Sequence, residues 1–173
     1  PAVERGRDLY KEQNIQFFLG DFETFLFSGP EPDAITMYHV LEHLPRPVEV
    51  LKKLRSIAKS STGLIIEVPV IENGKTNDIN GFFSIQHATH FSRNSLHNCI
   101  ELAGWAIEEH YETPDYNGCR ILAYPQPEVH LDYQVTSEPK DWIELNSNLS
   151  AWHNAVEDVE KIIQQIAKCG RFV

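Results

Sequence analysis

The stretch Ala34-Ile35-Thr36-Met37-Tyr38-His39-Val40-Leu41-Glu42-His43-Leu44, which leaves through Pro45-Arg46-Pro47, decides how the chain is read. The breaker Glu31-Pro32-Asp33 precedes it, and Ala34 to Met37 is an apolar run too short for a helix, so it reads as a buried strand. The strand runs into Tyr38, His39, Glu42 and His43, a cluster of hydrogen-bonding and titratable groups where the backbone leaves the sheet. In open α/β sheets ligands bind in the crevice beyond the carboxyl ends of the strands. The expected site therefore lies at Tyr38 to His43.

Outward from there the pattern alternates. Pro47 suits the first turn of a helix, and Val48, Leu51, Leu54, Ile57 and Ala58 give that helix one apolar face as far as Lys59. Gly63 ends the turn, and Leu64 to Val70 is a near-continuous apolar run, as in a strand buried on both faces. Two such strands joined by a helix form a parallel βαβ unit. Upstream, a helix over Val3 to Gln13 leads to a strand over Ile15 to Leu19, closed by Gly20 and Asp21, and then to a loop holding Phe22, Phe25 and Phe27. Downstream, Ile71 to Ser84 carries Asn73-Gly74, Asn77-Asp78 and Asn80-Gly81 and reads as a long functional loop. Ser92 caps a helix with Leu96, Cys99, Ile100, Leu102 and Ala103 facing inward, which Gly104 stops. Ala106 to Tyr111 and Arg120 to Tyr124 then form a hairpin around Asp115-Tyr116-Asn117-Gly118. The predicted organisation is an α/β domain over 1–125, followed over 126–173 by an irregular linker and a long C-terminal helix. In that helix Leu149, Trp152, Val156, Val159, Ile163 and Ile166 repeat at 3, 4, 3, 4, 3, a narrow seam suited to packing on the domain or pairing with a second copy.

Composition narrows the function. The 173 residues carry a formal net charge of −10 and no Lys/Arg stripe, which argues against nucleic acid as a partner. Cys99, Cys119 and Cys169 are odd in number and far apart, which fits reduced thiols in a cytoplasmic protein. No apolar stretch reaches the length of a membrane span, so no membrane role is expected. The opening Pro1 and the closing Arg171-Phe172-Val173, which reads like the start of another strand, suggest a segment of a longer protein; a processed chain with a complete fold is the alternative.

Four motifs in order and spacing then resemble the class I S-adenosylmethionine-dependent methyltransferases, most closely the small-molecule and sugar C-methyltransferase branch. They are His39-Val40-Leu41-Glu42-His43-Leu44-Pro45-Arg46-Pro47, the segment Gly63-Leu64-Ile65-Ile66-Glu67-Val68-Pro69, His87-Ala88-Thr89-His90-Phe91-Ser92 with Leu96, and Glu101-Leu102-Ala103-Gly104-Trp105. The resemblance covers residues 1 to 125 and implies a Rossmann-like sheet, S-adenosylmethionine as cofactor and methyl transfer to a small-molecule or sugar-linked acceptor. The sequence departs from the family in having no glycine-x-glycine turn. By the family's strand order the first two strands are missing, so the sheet is expected to be incomplete, with the rest supplied by other sequence or by strand exchange between chains in a homodimer. Such a chain holds only part of the cofactor pocket.

Residue by residue, the resemblance implies that Asp21 accepts from the adenine amino group with Phe22 beside it, and that Tyr38 and His39 border the methionine part. His43 and His87 become the candidate bases facing the acceptor, with Glu42 to orient a neighbour and His90 as a weaker base. Histidine suits proton transfer because its ordinary pKa lies near neutrality. Plainer readings stand beside these. Asp21 begins a turn, Glu42 and His43 cap the helix at Pro47, and His87 and His90 form a helix entry packed on an aromatic ring. A rival reading has the four histidines and Glu42 converge on zinc, but neither a cysteine pair nor His-Glu-x-x-His accompanies them, so no metal ligand is assigned. The C-terminal seam offers a third class, a non-catalytic interaction module.

Overall fold

The computed structural model describes residues 2–22, 24–73, 84–113, 116–126 and 139–168. Its contacts divide the chain into two compact units, Pro1–Pro30 and Glu31–Val173. The boundary expected after residue 125 falls against residues 127–138, which lie outside the described ones.

In the first unit helix α1 spans Ala2–Leu9, shorter than the expected Val3 to Gln13. The strand expected over Ile15 to Leu19 does not form: these residues join no ladder, and the Ile15 amide bonds locally to the Gln13 carbonyl. A strand is defined by a partner about 4.8 Å away, and here the backbone is tied down by side chains instead. Arg7 Nη2 donates to the Phe17 carbonyl at 2.8 Å, and the Phe17 ring stacks on Tyr10. The Asp21 carbonyl accepts from the amides of Thr24 and Phe25, which makes the turn foreseen in the plainer reading of that residue.

The second unit holds a four-stranded sheet in the order β1-β2-β4-β3, with β1 at Ala34–Tyr38, β2 at Gly63–Pro69, β3 at Trp105–Glu112 and β4 at Gly118–Pro125. β1 and β2 run parallel, joined by helix α2 (Pro47–Ser56), and β3 and β4 form the antiparallel hairpin. Helix α3 (Arg93–Leu102) precedes the hairpin, and helix α4 (Pro139–Lys168) follows it. The order matches the expected incomplete Rossmann-like sheet with a C-terminal hairpin and a long final helix. Among the described residues no strand pairs with the outer edge of β1.

Local chemistry sets these boundaries. Pro47 stands in the first turn of α2, which closes at Ser56 rather than Lys59. Thr62 Oγ1 then accepts from the Lys59 amide and donates to the Pro32 carbonyl, and the Lys59 ammonium pairs with Asp33, so the entry to β2 is pinned to the entry to β1. Ser92 and Ser95 form a reciprocal capping box at the start of α3. Gly104, at φ 86°, takes the left-handed turn beyond that helix, which a side chain would oppose. Of the loop expected over Ile71 to Ser84, Ile71–Asn73 is a 3-10 turn and residues 74–83 lie outside the described ones.

One face of the sheet builds the core. The cross-strand pairs Leu64 with Ala123, Ile66 with Ile121 and Val68 with Cys119 are all buried, and they join Leu51 and Leu54 of α2 and Leu96 and Ile100 of α3. Trp105 is fully buried at the start of β3, and its Nε1 donates to the Leu51 carbonyl at 3.0 Å. Leaving that N–H unpaired would cost on the order of 1–3 kcal/mol, so this bond fixes where α2 lies against β3. Burial pushes the Cys99 and Cys119 thiols up to about 12. Both therefore sit in the core as neutral thiols.

The hairpin is fastened to its surroundings through Glu112. Arg93 donates to both of its oxygens, Asn73 Nδ2 donates to Oε2 at 2.8 Å, and His110 Nε2 lies 2.6 Å from Oε1. The Arg93 guanidinium, by its hydrogen bonds, holds this carboxyl down to about 2, with burial opposing and Asn73 and His110 assisting. The native state thus binds fewer protons at this site than the unfolded chain, whose carboxyl titrates near 4.5. We expect the stabilisation from Glu112 to be complete above that value and to be lost as pH falls towards 2. Urea midpoints followed between about pH 5 and pH 2 should fall less steeply in Glu112→Gln than in the parent chain. Parallel slopes would show that Glu112 is not a determinant of acid stability.

Candidate active site

The carboxyl end of β1 is where the backbone departs most from regular geometry. His39 takes φ 50°, the one left-handed conformation at a non-glycine position among the described residues. Its amide still donates to the Glu67 carbonyl of β2 at 2.9 Å, so the parallel ladder holds the strained residue in place. The chain then reverses through the 3-10 turn Leu41–His43, which buries Leu41 and Glu42 completely. The segment from Ser84 to His90 is laced onto this turn. The Thr89 amide donates to the Glu42 carbonyl at 3.0 Å, Thr89 Oγ1 to the Leu44 carbonyl at 3.3 Å, and His43 Nδ1 to the Gln86 carbonyl at 2.9 Å.

Two polar groupings result. In the first, Glu42 Oε1 lies 3.1 Å from His39 Nδ1, and His39 Nε2 lies 2.6 Å from Tyr116 Oη. Tyr116 Oη donates to Glu67 Oε1 at 2.8 Å, while the Arg120 guanidinium donates to Glu67 Oε2 from Nε at 2.8 Å and also from Nη2. Desolvation, with help from the Glu67 hydrogen bond, pushes the Tyr116 phenol up to about 12, so it stays protonated and keeps donating. Arg120 also lies over the Tyr38 ring, 5.5 Å from its centroid. Glu67 is paired with Tyr38 on one side and Arg120 on the other in the strand register, so these three form one row across the sheet. A recess of about 40 Å³ opens beside the row, lined by Glu67, Tyr111, Glu112, Tyr116 and Arg120 among others, with room for water rather than for a cofactor.

The second grouping is imidazole-rich. The rings of His43 and His87 meet edge to face with centroids 4.9 Å apart, and His87 lies 6.0 Å from His90. One carboxylate oxygen of Glu42 and one ring nitrogen each of His43 and His87 lie within 4.8 Å of one another.

Six of the eight residues expected from the sequence, Tyr38, His39, Glu42, His43, His87 and His90, therefore belong to one neighbourhood of the second unit. Glu42 and His43 do not cap α2, whose N-cap is Arg46 with no side-chain cap. The His87 ring meets those of His43 and His90 edge to face. Asp21 and Phe22 belong to the first unit. Sequence reasoning missed Glu67, Tyr116 and Arg120. A charged residue within the apolar run Leu64 to Val70 was the available signal for Glu67, because an acid on a buried strand requires partners. Nothing in the local sequence pointed to Tyr116, which lies within a turn signal.

Comparison with known proteins follows the same lines. A family model described as a methyltransferase domain matches residues 2–110. The crystal structure of OxaC in complex with sinefungin and meleagrin aligns with a TM-score of 0.62 at 11% identity, covering 73% of this chain and 34% of that one. The mitomycin 7-O-methyltransferase MmcR aligns at 0.57 with 17% identity, over 72% of this chain and 39% of its own. Human N-acetylserotonin methyltransferase in complex with S-adenosylmethionine aligns at 0.52 with 17% identity, over 66% and 34%. At such identities the likeness is one of fold, and the chain spans between a third and two fifths of the length of these three proteins. No curated protein matches the chain. Because the methyltransferase-domain model takes in well over half of its residues, the chain belongs to the class I S-adenosylmethionine-dependent methyltransferases.

Proposed function

We propose that this chain carries the acceptor-facing part of a methyltransferase that acts on a small-molecule or sugar-linked acceptor. The observation that carries the reading is the meeting of Glu42, His43 and His87 just beyond the carboxyl end of β1. Its cofactor fit is partial. Tyr38 and His39 stand at the strand end where the methionine part would lie, but the sequence holds no glycine-x-glycine turn, and the outer edge of β1 has no strand partner among the described residues. When bound, S-adenosylmethionine supplies an already activated methyl group on a sulfonium. What remains for the protein is to place the acceptor, exclude water and remove a proton.

In this reading His87, with His43 edge-on against it, takes the proton of the acceptor group, and His90 stands behind His87 as a second base. Glu42, buried and paired with His39, orients that ring at the cofactor end. Asp21 is assigned to the adenine amino group, with Phe22 beside it. A positioned general base contributes about 10²- to 10⁴-fold to a rate. In the intact protein we expect His87→Ala to lower turnover by about 10²-fold or more, measured as S-adenosylhomocysteine release, while calorimetric affinity for S-adenosylhomocysteine stays within experimental error. Undiminished turnover would remove His87 from the mechanism. Absence of S-adenosylhomocysteine binding in the intact protein would instead refute the catalytic reading.

A specific observation favours self-association alongside this. Helix α4 presents Val156, Val159 and Ile163, successive members of the 3-4 seam, each 39% to 55% exposed. A seam of that spacing suits a second copy of the same helix. The homodimer reading predicts that Val159→Lys shifts sedimentation from dimer to monomer at micromolar concentration. A parent chain that sediments as a monomer would dispose of it.

A further inference from the structure

The imidazole-rich grouping has the donors and support of a metal centre, anchored on a buried carboxylate. We propose that Glu42, His43 and His87 form a binding site for one divalent transition-metal ion of the zinc type. Their three ligand atoms already lie within 4.8 Å of one another. A tetrahedral zinc ion with bonds of about 2.0–2.1 Å holds its donors roughly 3.3 Å apart. The donors therefore have to approach by at most about 1.5 Å to share one ion.

Three features distinguish this cluster from a chance grouping. First, Glu42 is completely buried, and its Oε2 has no hydrogen-bond partner among the described residues, although Oε1 is held by His39. A buried carboxylate oxygen without a partner is costly, and a cation supplies what the surrounding side chains do not. Second, the His43 tautomer is set. A carbonyl oxygen only accepts, so the bond to Gln86 requires the proton on Nδ1, which leaves the Nε2 lone pair for a ligand. Metal-bound histidines are commonly oriented in this way by an outer hydrogen bond. Third, the two segments that carry the ligands are tied together by backbone and threonine bonds that do not involve the ligand atoms, so the site is organised before any ion arrives.

A second cluster, His110, Glu112 and Cys119, is gathered within the same 4.8 Å but holds no unmet carboxylate oxygen. Arg93 and Asn73 already occupy the Glu112 oxygens, and burial keeps the Cys119 thiol protonated. It is an ion-pair network, and it serves as the internal control. Two imidazoles and a carboxylate favour zinc-like ions over magnesium or calcium, and three protein ligands leave a position for an exchangeable oxygen. In a methyltransferase that position would hold an acceptor oxygen and ease its deprotonation, with His87 then a ligand of the ion and no longer the base that takes the proton; this consequence alone rests on the methyltransferase reading above.

The test is a calorimetric titration of the chelator-stripped full chain with zinc chloride, in the absence of cofactor or acceptor. We expect one ion to bind per chain, and His87→Ala and the near-isosteric Glu42→Gln each to weaken binding by more than about 100-fold. His110→Ala should leave it unchanged, and circular dichroism and urea midpoints confirm that each variant is folded. Zinc should also raise the melting temperature of the parent and of His110→Ala, with chelator reversing the shift. Absence of binding, binding that survives Glu42→Gln in a folded protein, or loss of binding in His110→Ala would each overturn the site. The readout needs neither methyl donor nor acceptor, so the metal site and the methyltransferase reading can fail separately.

Discussion

The parallel pairing of β1 with β2 is the constraint from which the rest of the second unit follows. It runs in register from Ala34 opposite Gly63 to Tyr38 opposite Glu67, and it continues one residue further, where the His39 amide donates to the Glu67 carbonyl. That last bond holds a bulky residue at φ 50°, a conformation that side chains ordinarily avoid. The ladder thereby determines the direction in which the chain leaves the sheet. Because it leaves that way, the turn Leu41–His43 folds inward, Leu41 enters the core, and the carboxyl group of Glu42 goes with it. A buried acid is thus the consequence of where a strand ends.

The two buried acids, Glu42 and Glu67, have different partners. Glu67 is fully provided for by Arg120 and Tyr116, and the phenol also reaches His39, which in turn meets Glu42. One continuous chain of hydrogen bonds therefore joins the strand row to the turn, and Glu42 Oε2 is the one buried side-chain polar atom without a partner among the described residues. Structural ion-pair networks account for Glu67 and for Glu112 beyond it. They do not account for Glu42, and this asymmetry sets the turn apart from the better connected row.

Much of the fold was legible because its signals are local. Pro47, the Ser92 cap and Gly104 each mark an element boundary through backbone chemistry that neighbours do not alter. Ile15 to Leu19 misled for the opposite reason. A short apolar run shows only that the residues seek burial, while strand status depends on a partner that no local pattern encodes, and the Phe17 ring found Tyr10 instead. Tyr38 to His43 were legible as a cluster because they are consecutive. Their mutual geometry was not, since it depends on the φ of a single residue and on contacts from Gln86 and Thr89, more than forty positions away.

The histidine spacings show how far such limits extend. His39 and His43 are four apart and His87 and His90 three apart, spacings that bring side chains together on a helix, whereas the first pair straddles a strand end. The structure keeps the second pair in contact but not the first. His87 meets both His90 and His43, while His39 turns towards Tyr116. Spacing governs which side chains meet only where the backbone is regular, and here the backbone is a strand end followed by a single 3-10 turn. In open α/β sheets ligands bind in the crevice beyond the carboxyl ends of the strands, where the chain leaves regular structure. Residues that converge in that region are brought together by tertiary contacts, and their chemistry has to be read from distances, burial and unmet hydrogen bonds.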